Sequence, residues 1–368
     1  VDTTMLDEAG DPILHQNSSK GDFGAPSGGQ VFEIASTELV MNDAGKKNLH
    51  AFFETLSNVA AEKKKISILH YGDSQIEGDR MTGHIRQMIQ NQFGGNGPGL
   101  IPATNVYSTI TFIQTYSENF QRFTCFGGNK LKVPNYGAMA SVARFTREFD
   151  RDSTFKLDSL KEQTGWIEFG PSNSAYARAR SYNNVKMSYN SCVAPTKLKV
   201  YQNGEVIHEE NLIQDGAQHM LKLSFPSTPG KLKYEFTGKI SPNICAFSLE
   251  GDYGVQVSNI AMRGSSGTVF GHIRHNTLTP MYAELNTKMI IMQFGGNSVP
   301  FFKDSTSVRN FASYFKSQMN TVKKLNPGAM IIVIGPSDMS ELKDGIYSTY
   351  KFLPYCVEKM KEATTSVG

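Results

Sequence analysis

The sequence predicts an α/β protein: a doubly wound parallel sheet interrupted by an all-β sandwich or jelly roll. Two observations carry this reading. Short apolar runs that end in glycine alternate with amphipathic helices near both ends of the chain. Between them, apolar and polar residues alternate in short runs separated by turn residues.

Taken in order, residues 1–41 are rich in Gly, Ser, Asp and Asn and read as a loosely ordered lead-in. Leu49, Phe52, Phe53, Leu56 and Val59 then recur at helical spacing, with Asn42 and Asp43 placed to cap the start. Ile66 to Tyr71 is a short apolar run ending in Gly72, the mark of a buried parallel strand. Met81 to Phe93 predicts an amphipathic helix burying Ile85, Met88, Ile89 and Phe93, and residues 94–99 stop it with four glycines and a proline.

From Thr104 to Gly251 the runs at 197–201, 204–208, 219–225 and 231–236 alternate, and Asn203-Gly204 and Pro229-Gly230 separate them. After Tyr253 the α/β pattern returns. Strands are predicted over 255–261, 288–294 and 329–334, and helices over 312–325 and from Tyr347 to about Thr364. The implied division is a lead-in at 1–41, an α/β domain in two parts at 42–103 and 252–368, and a β insert at 104–251.

A net charge of +3 over 368 residues gives no electrostatic case for nucleic acid. The densest basic run, Lys63-Lys64-Lys65, reads as a solvated helix end. No apolar run reaches the 18 or so residues that span a bilayer, and no signal peptide is visible. Cys125, Cys192, Cys245 and Cys356 lie far apart without metal-ligand spacing, so buried thiols are the better reading.

In open α/β sheets, ligands bind beyond the carboxyl ends of the strands. Three predicted strands end in turns of glycine and small polar residues: Gly72-Asp73-Ser74, Gly264-Ser265-Ser266-Gly267 and Gly295-Gly296-Asn297. Each alone is ordinary turn punctuation. Together they fit one chemistry. Ser74 at a strand-to-helix turn would present its hydroxyl near a helix N-terminus, where developing negative charge is favoured. Gly264 could offer an unobstructed backbone N–H, and Asn297 a side-chain N–H, to a tetrahedral oxyanion.

These three turns resemble blocks I, II and III of the SGNH/GDSL hydrolases, with Asn259 five residues before Gly264 as in block II. The runs His70–Arg80 and Phe93–Gly99 are similar to the peptidoglycan O-acetylesterase-like branch, in which a carbohydrate-binding-type β domain sits between blocks I and II. The resemblance spans most of residues 46–364 and implies a flavodoxin-like sheet. It implies Ser74 as nucleophile, and an oxyanion hole made by the backbone N–H groups of Ser74 and Gly264 with the Asn297 side chain. It also implies a periplasmic or cell-surface location.

One block is missing. The family's base is a histidine in a D-x-x-H motif near the C-terminus, and none of the eight histidines has Asp three residues before it. A fragment ending before that motif is the favoured explanation, and residues 1–368 alone are expected to have little activity.

Other polar residues carry structural readings first. His70 reads as a hydrogen-bonded strand histidine and His84 as a surface one. His272 and His275 lack a third ligand. Glu77 and Asp79 suit a helix's first turn. Asp73, Ser337 and Asp338 are candidates to support the site from behind. Trp166, Tyr176, Tyr182 and Tyr189 read as sandwich core before they read as a sugar-stacking surface.

The expected function is a serine esterase removing O-acetyl or similar groups from a polysaccharide such as peptidoglycan, with no metal or organic cofactor. The alternatives are an O-acetyltransferase on the same scaffold and a non-catalytic glycan-binding protein. The expected partner is the acylated polysaccharide. Oligomeric state, disulfides and the acyl group are left open.

Overall fold

The computed structural model describes residues 39–148 and 157–367. The expected lead-in over 1–41 lies, through residue 38, outside the described residues.

Four parallel strands form the central sheet: β1 (Lys65–Gly72), β2 (Gly254–Ala261), β3 (Thr287–Gln293) and β4 (Met330–Ile334), in the order β2-β1-β3-β4. The β1 sequence explains its central place. Ile66 and Ile68 face one side, Leu69 and Tyr71 reach the other core, and all are buried. On the first side lie α1 (Asp43–Asn58) and α2 (Arg80–Phe93). On the second lie α3 (His275–Glu284), α4 (Ser305–Leu325) and α5 (Leu353–Thr365).

Three helices differ from expectation. Met88 of α2 is 60% exposed, whereas Thr82, Arg86 and Gln90 are buried. The reason is the neighbouring sheet edge. β2 is an edge strand, and its Val257 and Val255 carbonyls accept from Arg86 Nε (2.6 Å) and Gln90 Nε2 (3.0 Å). Polar side chains thus take the place of a further strand. The loop after α2 closes on the same edge. Gly95 has φ +116°, and a Cβ there would collide with the Val255 backbone.

The last helix was predicted from Tyr347 but begins at Leu353. Residues 346–349 instead pair with 340–343 as a hairpin, because Asp344 (φ 51°) and Gly345 (φ 79°) form its turn. Asp-Gly is a strong two-residue hairpin signal. Helix α4 starts earlier than its apolar periodicity suggests, because Asp304 and Ser307 cap each other reciprocally.

The segment between α2 and β2 forms two antiparallel sheets. One contains strands 99–102, 121–124, 141–144, 184–190, 219–224 and 243–250. The other runs 112–116, 163–171, 232–238, 196–202, 205–211. Their inner faces meet in an aromatic core of Phe145, Phe169, Tyr234, Phe236 and Phe247. Pairing begins at Gly99, ahead of the Thr104 boundary read from composition. Tyr182 and Tyr189 belong to this core and are each 2% exposed, while Trp166 sits half-buried on the outer face beside Lys233.

All four cysteines are free and buried. Burial pushes the Cys125 and Cys245 thiols up to about 12 and Cys356 to about 11. The native protein is therefore expected not to react with Ellman's reagent at pH 8. All four thiols should react once it is unfolded in guanidinium.

Candidate active site

The turn after β1 brings the site together. Asp73 caps it, accepting from the Gln75 N–H at 2.9 Å. Ser74 follows, exposed, at the start of a 3-10 turn over Ser74–Asp79 that is broken at Glu77 and Gly78. The α-helix begins only at Arg80, so Ser74 does not sit on its N-terminus as expected. Glycine at 78 (φ 78°) and left-handed Asp79 (φ 63°) separate the two segments. The Ser74 hydroxyl has no hydrogen-bond partner among the described residues.

The other two turns converge on it. The end of β2 is fastened to β1 by Met262 N–H donating to the Gly72 carbonyl at 2.7 Å. Gly264 follows with φ +77°, exposed, with open space where a Cβ would stand. From the turn after β3, Asn297 Nδ2 donates to the Ser265 carbonyl at 3.1 Å and to Asp73 Oδ2 at 3.3 Å. One amide therefore bridges all three turns. Burial pushes the Asp73 carboxyl up, and the Gln75 N–H opposes it.

Behind the turns lies a buried polar chain. His70 Nδ1 pairs with the Thr82 hydroxyl (2.9 Å), and Nε2 with Gln293 Oε1 (3.0 Å). Gln293 Nε2 donates to Gln75 Oε1 (3.3 Å), and Gln75 Nε2 to Ser337 Oγ (3.2 Å). Asn259 Nδ2 donates to Thr82 Oγ1 (2.7 Å) and to the Ile76 carbonyl (2.8 Å). Since the Gln293 oxygen accepts, Nε2 carries the His70 proton and Nδ1 accepts from Thr82. His70 is fully buried, and desolvation lowers its pKa from 6.5 to about 4 despite the Gln293 bond.

The sign follows. Between pH 6.5 and about 4 the unfolded chain binds a proton at His70 that the native state does not, so stability rises with pH across that window. The full contribution, roughly 3 kcal/mol at 1.36 kcal/mol per pKa unit, is present above pH 6.5 and lost as pH falls towards 4. Urea unfolding at pH 7 and pH 4.5 checks it: His70→Gln should show a smaller acid loss than the parent.

Of the remaining expected residues, Ser337 reaches Gln75, whereas Asp338 is exposed with no contact to the site. Glu77 and Asp79 are not first-turn acids of α2. Glu77 pairs with Arg263 (2.8 and 2.5 Å), whose guanidinium lies 4.6 Å from the Tyr107 ring centroid. Asp79 is buried against Arg86. His84 is exposed, and His272 and His275 lie on different elements. His208, His219 and His272 pair with Glu210, Asp215 and Tyr314. Among the described residues no histidine bonds Ser74; His15 lies outside them.

Sequence reasoning missed Gln75, Gln293 and Arg263, and noted Asn259 only for its spacing from Gly264. Asn259 and Gln293 each occupy a strand end just before a glycine turn, which was the available signal.

A solved structure of a peptidoglycan O-acetylesterase superposes with a TM-score of 0.64 at 16% identity, over 87% of this chain and 80% of that one. The chain shares its fold with that esterase. At that identity the likeness is one of fold. A family two carbohydrate esterase from Clostridium thermocellum aligns over 56% of this chain and 78% of its own, at 10% identity, but its TM-score of 0.22 adds nothing. No family model and no curated protein matches the sequence. Among the described residues, no helix is long and apolar enough to cross a membrane.

Proposed function

We propose that the protein is a serine esterase removing O-acetyl groups from a polysaccharide, with peptidoglycan as the leading candidate. The observation that carries this reading is the Asn297 amide bridging the three turns around an unengaged Ser74 hydroxyl. The O-acetylesterase of like fold supports the substrate class. That class places its work at the cell wall, outside the cytoplasm.

Ser74 Oγ attacks the acetyl carbonyl carbon. The carbonyl oxygen becomes an oxyanion held by the N–H groups of Ser74, Gly264 and Asn297. The longer Asn297 contact, to Asp73 at 3.3 Å, is the one the oxyanion displaces. The tetrahedral adduct collapses, and the sugar oxygen leaves with the proton first taken from Ser74. Water then attacks the acetyl-serine, releasing acetate and restoring the hydroxyl. No metal or organic cofactor enters.

The base that takes this proton is not among the described histidines: His70 is committed to Thr82 and Gln293, and His50, His84 and His275 sit on α1, α2 and α3 away from the turns.

Acetate release by the full-length protein tests the reading. Asn297→Ala should lower kcat about 10²–10³-fold with KM little changed, the loss of one oxyanion donor. An unchanged kcat would contradict it.

A further inference from the structure

The hairpin 340–349 rises from the same end of the sheet as the three turns, and its root is built into the site. The Tyr350 N–H closes it on the Met339 carbonyl at 3.3 Å. The Met339 sulfur stands 3.7 Å from where a Cβ on Gly296 would lie, next to Asn297. Ser337, just before it, touches Gln75 beside Ser74. Pairing sets Leu342 opposite Tyr347 on one face, and Lys343 opposite Ile346 on the other. Lys343 is neutralised by Glu341 at 2.8 Å.

Among the described residues nothing packs on the Leu342–Tyr347 face. Leu342 is 58% exposed and Tyr347 74%, the most exposed tyrosine among the described large hydrophobics. Apolar side chains held this far into water on a short two-stranded ribbon stabilise nothing in the fold. Two such side chains, with Ile346 (70% exposed) turned to the other face, are far too few for a stable protein interface, which needs about 800 Å² per partner. They suit a small flat apolar surface. At about 3.3 Å per residue, Tyr347 stands roughly 7–10 Å beyond the root. That reach is enough to touch a sugar neighbouring one whose ester is held at the turns.

We propose that the Leu342–Tyr347 face is a glycan-stacking wall: it takes the apolar face of the pyranose ring next to the acylated sugar and so selects polymeric over small esters. This rests on the esterase reading above. The Tyr347 hydroxyl remains free at the ring edge to bond a sugar hydroxyl.

The test uses the full-length protein with Ser74→Ala, so that bound ester survives. Calorimetric titration with O-acetylated chitotetraose and O-acetylated xylotetraose should show binding of at least one. Adding Tyr347→Ala should weaken it about tenfold, and Tyr347→Phe should restore most of it. In the protein with Ser74 intact, Tyr347→Ala should leave p-nitrophenyl acetate hydrolysis unchanged. Binding of neither oligosaccharide, or binding indifferent to Tyr347→Ala, would overturn the proposal. So would a dimer, seen by sedimentation, that Tyr347→Ala dissociates without changing glycan affinity. Failure of the esterase reading is distinguishable: p-nitrophenyl acetate hydrolysis would then be the same with and without Ser74.

Discussion

Replacing Ser74 by alanine in the full-length protein is expected to lower kcat for acetyl-ester hydrolysis by roughly four to six orders of magnitude. The size of the effect comes from what the residue does. Without its hydroxyl no acyl-enzyme can form, and only oxyanion stabilisation of direct water attack is left. The structure favours a clean experiment. Ser74 is exposed and its hydroxyl bonds nothing among the described residues, so alanine removes no packing and orphans no partner. Thermal stability should change by less than about 0.5 kcal/mol. Steady-state kinetics with p-nitrophenyl acetate and a melting curve on the same sample separate the two readouts.

Arg86→Ala is expected to be the most damaging single change to the fold, costing about 3–5 kcal/mol and on the order of 10 °C in Tm. Arg86 is 1% exposed and makes a two-point pair with Asp79, at 2.7 and 3.1 Å, while its Nε caps the Val257 carbonyl. Thr111, from the loop before strand 112–116, also donates to Asp79. Alanine strands a buried carboxylate and an edge carbonyl together. A paired change of Arg86→Met with Asp79→Leu should recover part of the loss, because no lone charge then stays buried. Differential scanning calorimetry of the three proteins decides it.

The parallel sheet was legible because strands buried on both faces must be apolar throughout. Ile66–Tyr71 and 288–294 have no other good reading, and 329–334 reads the same way although it forms the half-buried edge strand β4. Helix α2 was legible as a helix but not in its orientation. Apolar periodicity assumes that a helix buries its greasy side, and here the unpaired carbonyls of β2 select Thr82, Arg86 and Gln90 instead. That demand is set by a strand 165 and more residues away and has no local signature. The hairpin was different: Asp344-Gly345 signalled it, and the helical spacing that follows obscured the signal.

At the site, the three glycine turns were readable because small residues after strands mark where chain and ligand approach each other. The bridge between Asp73, Ser265 and Asn297 was not readable. Nor was the chain from Thr82 through His70 and Gln293 to Gln75. The Asp73–Asn297, His70–Gln293 and Gln293–Gln75 contacts join residues more than 200 positions apart, and only the sheet order makes them neighbours.

The most direct test of the account is covalent capture. The full-length protein is treated with a fluorophosphonate and the adduct mapped by mass spectrometry. The account expects a single adduct on Ser74, formed about 10²–10³-fold more slowly in Asn297→Ala. An adduct on Ser265 or Ser337, no adduct at all, or a labelling rate indifferent to Asn297 would contradict it.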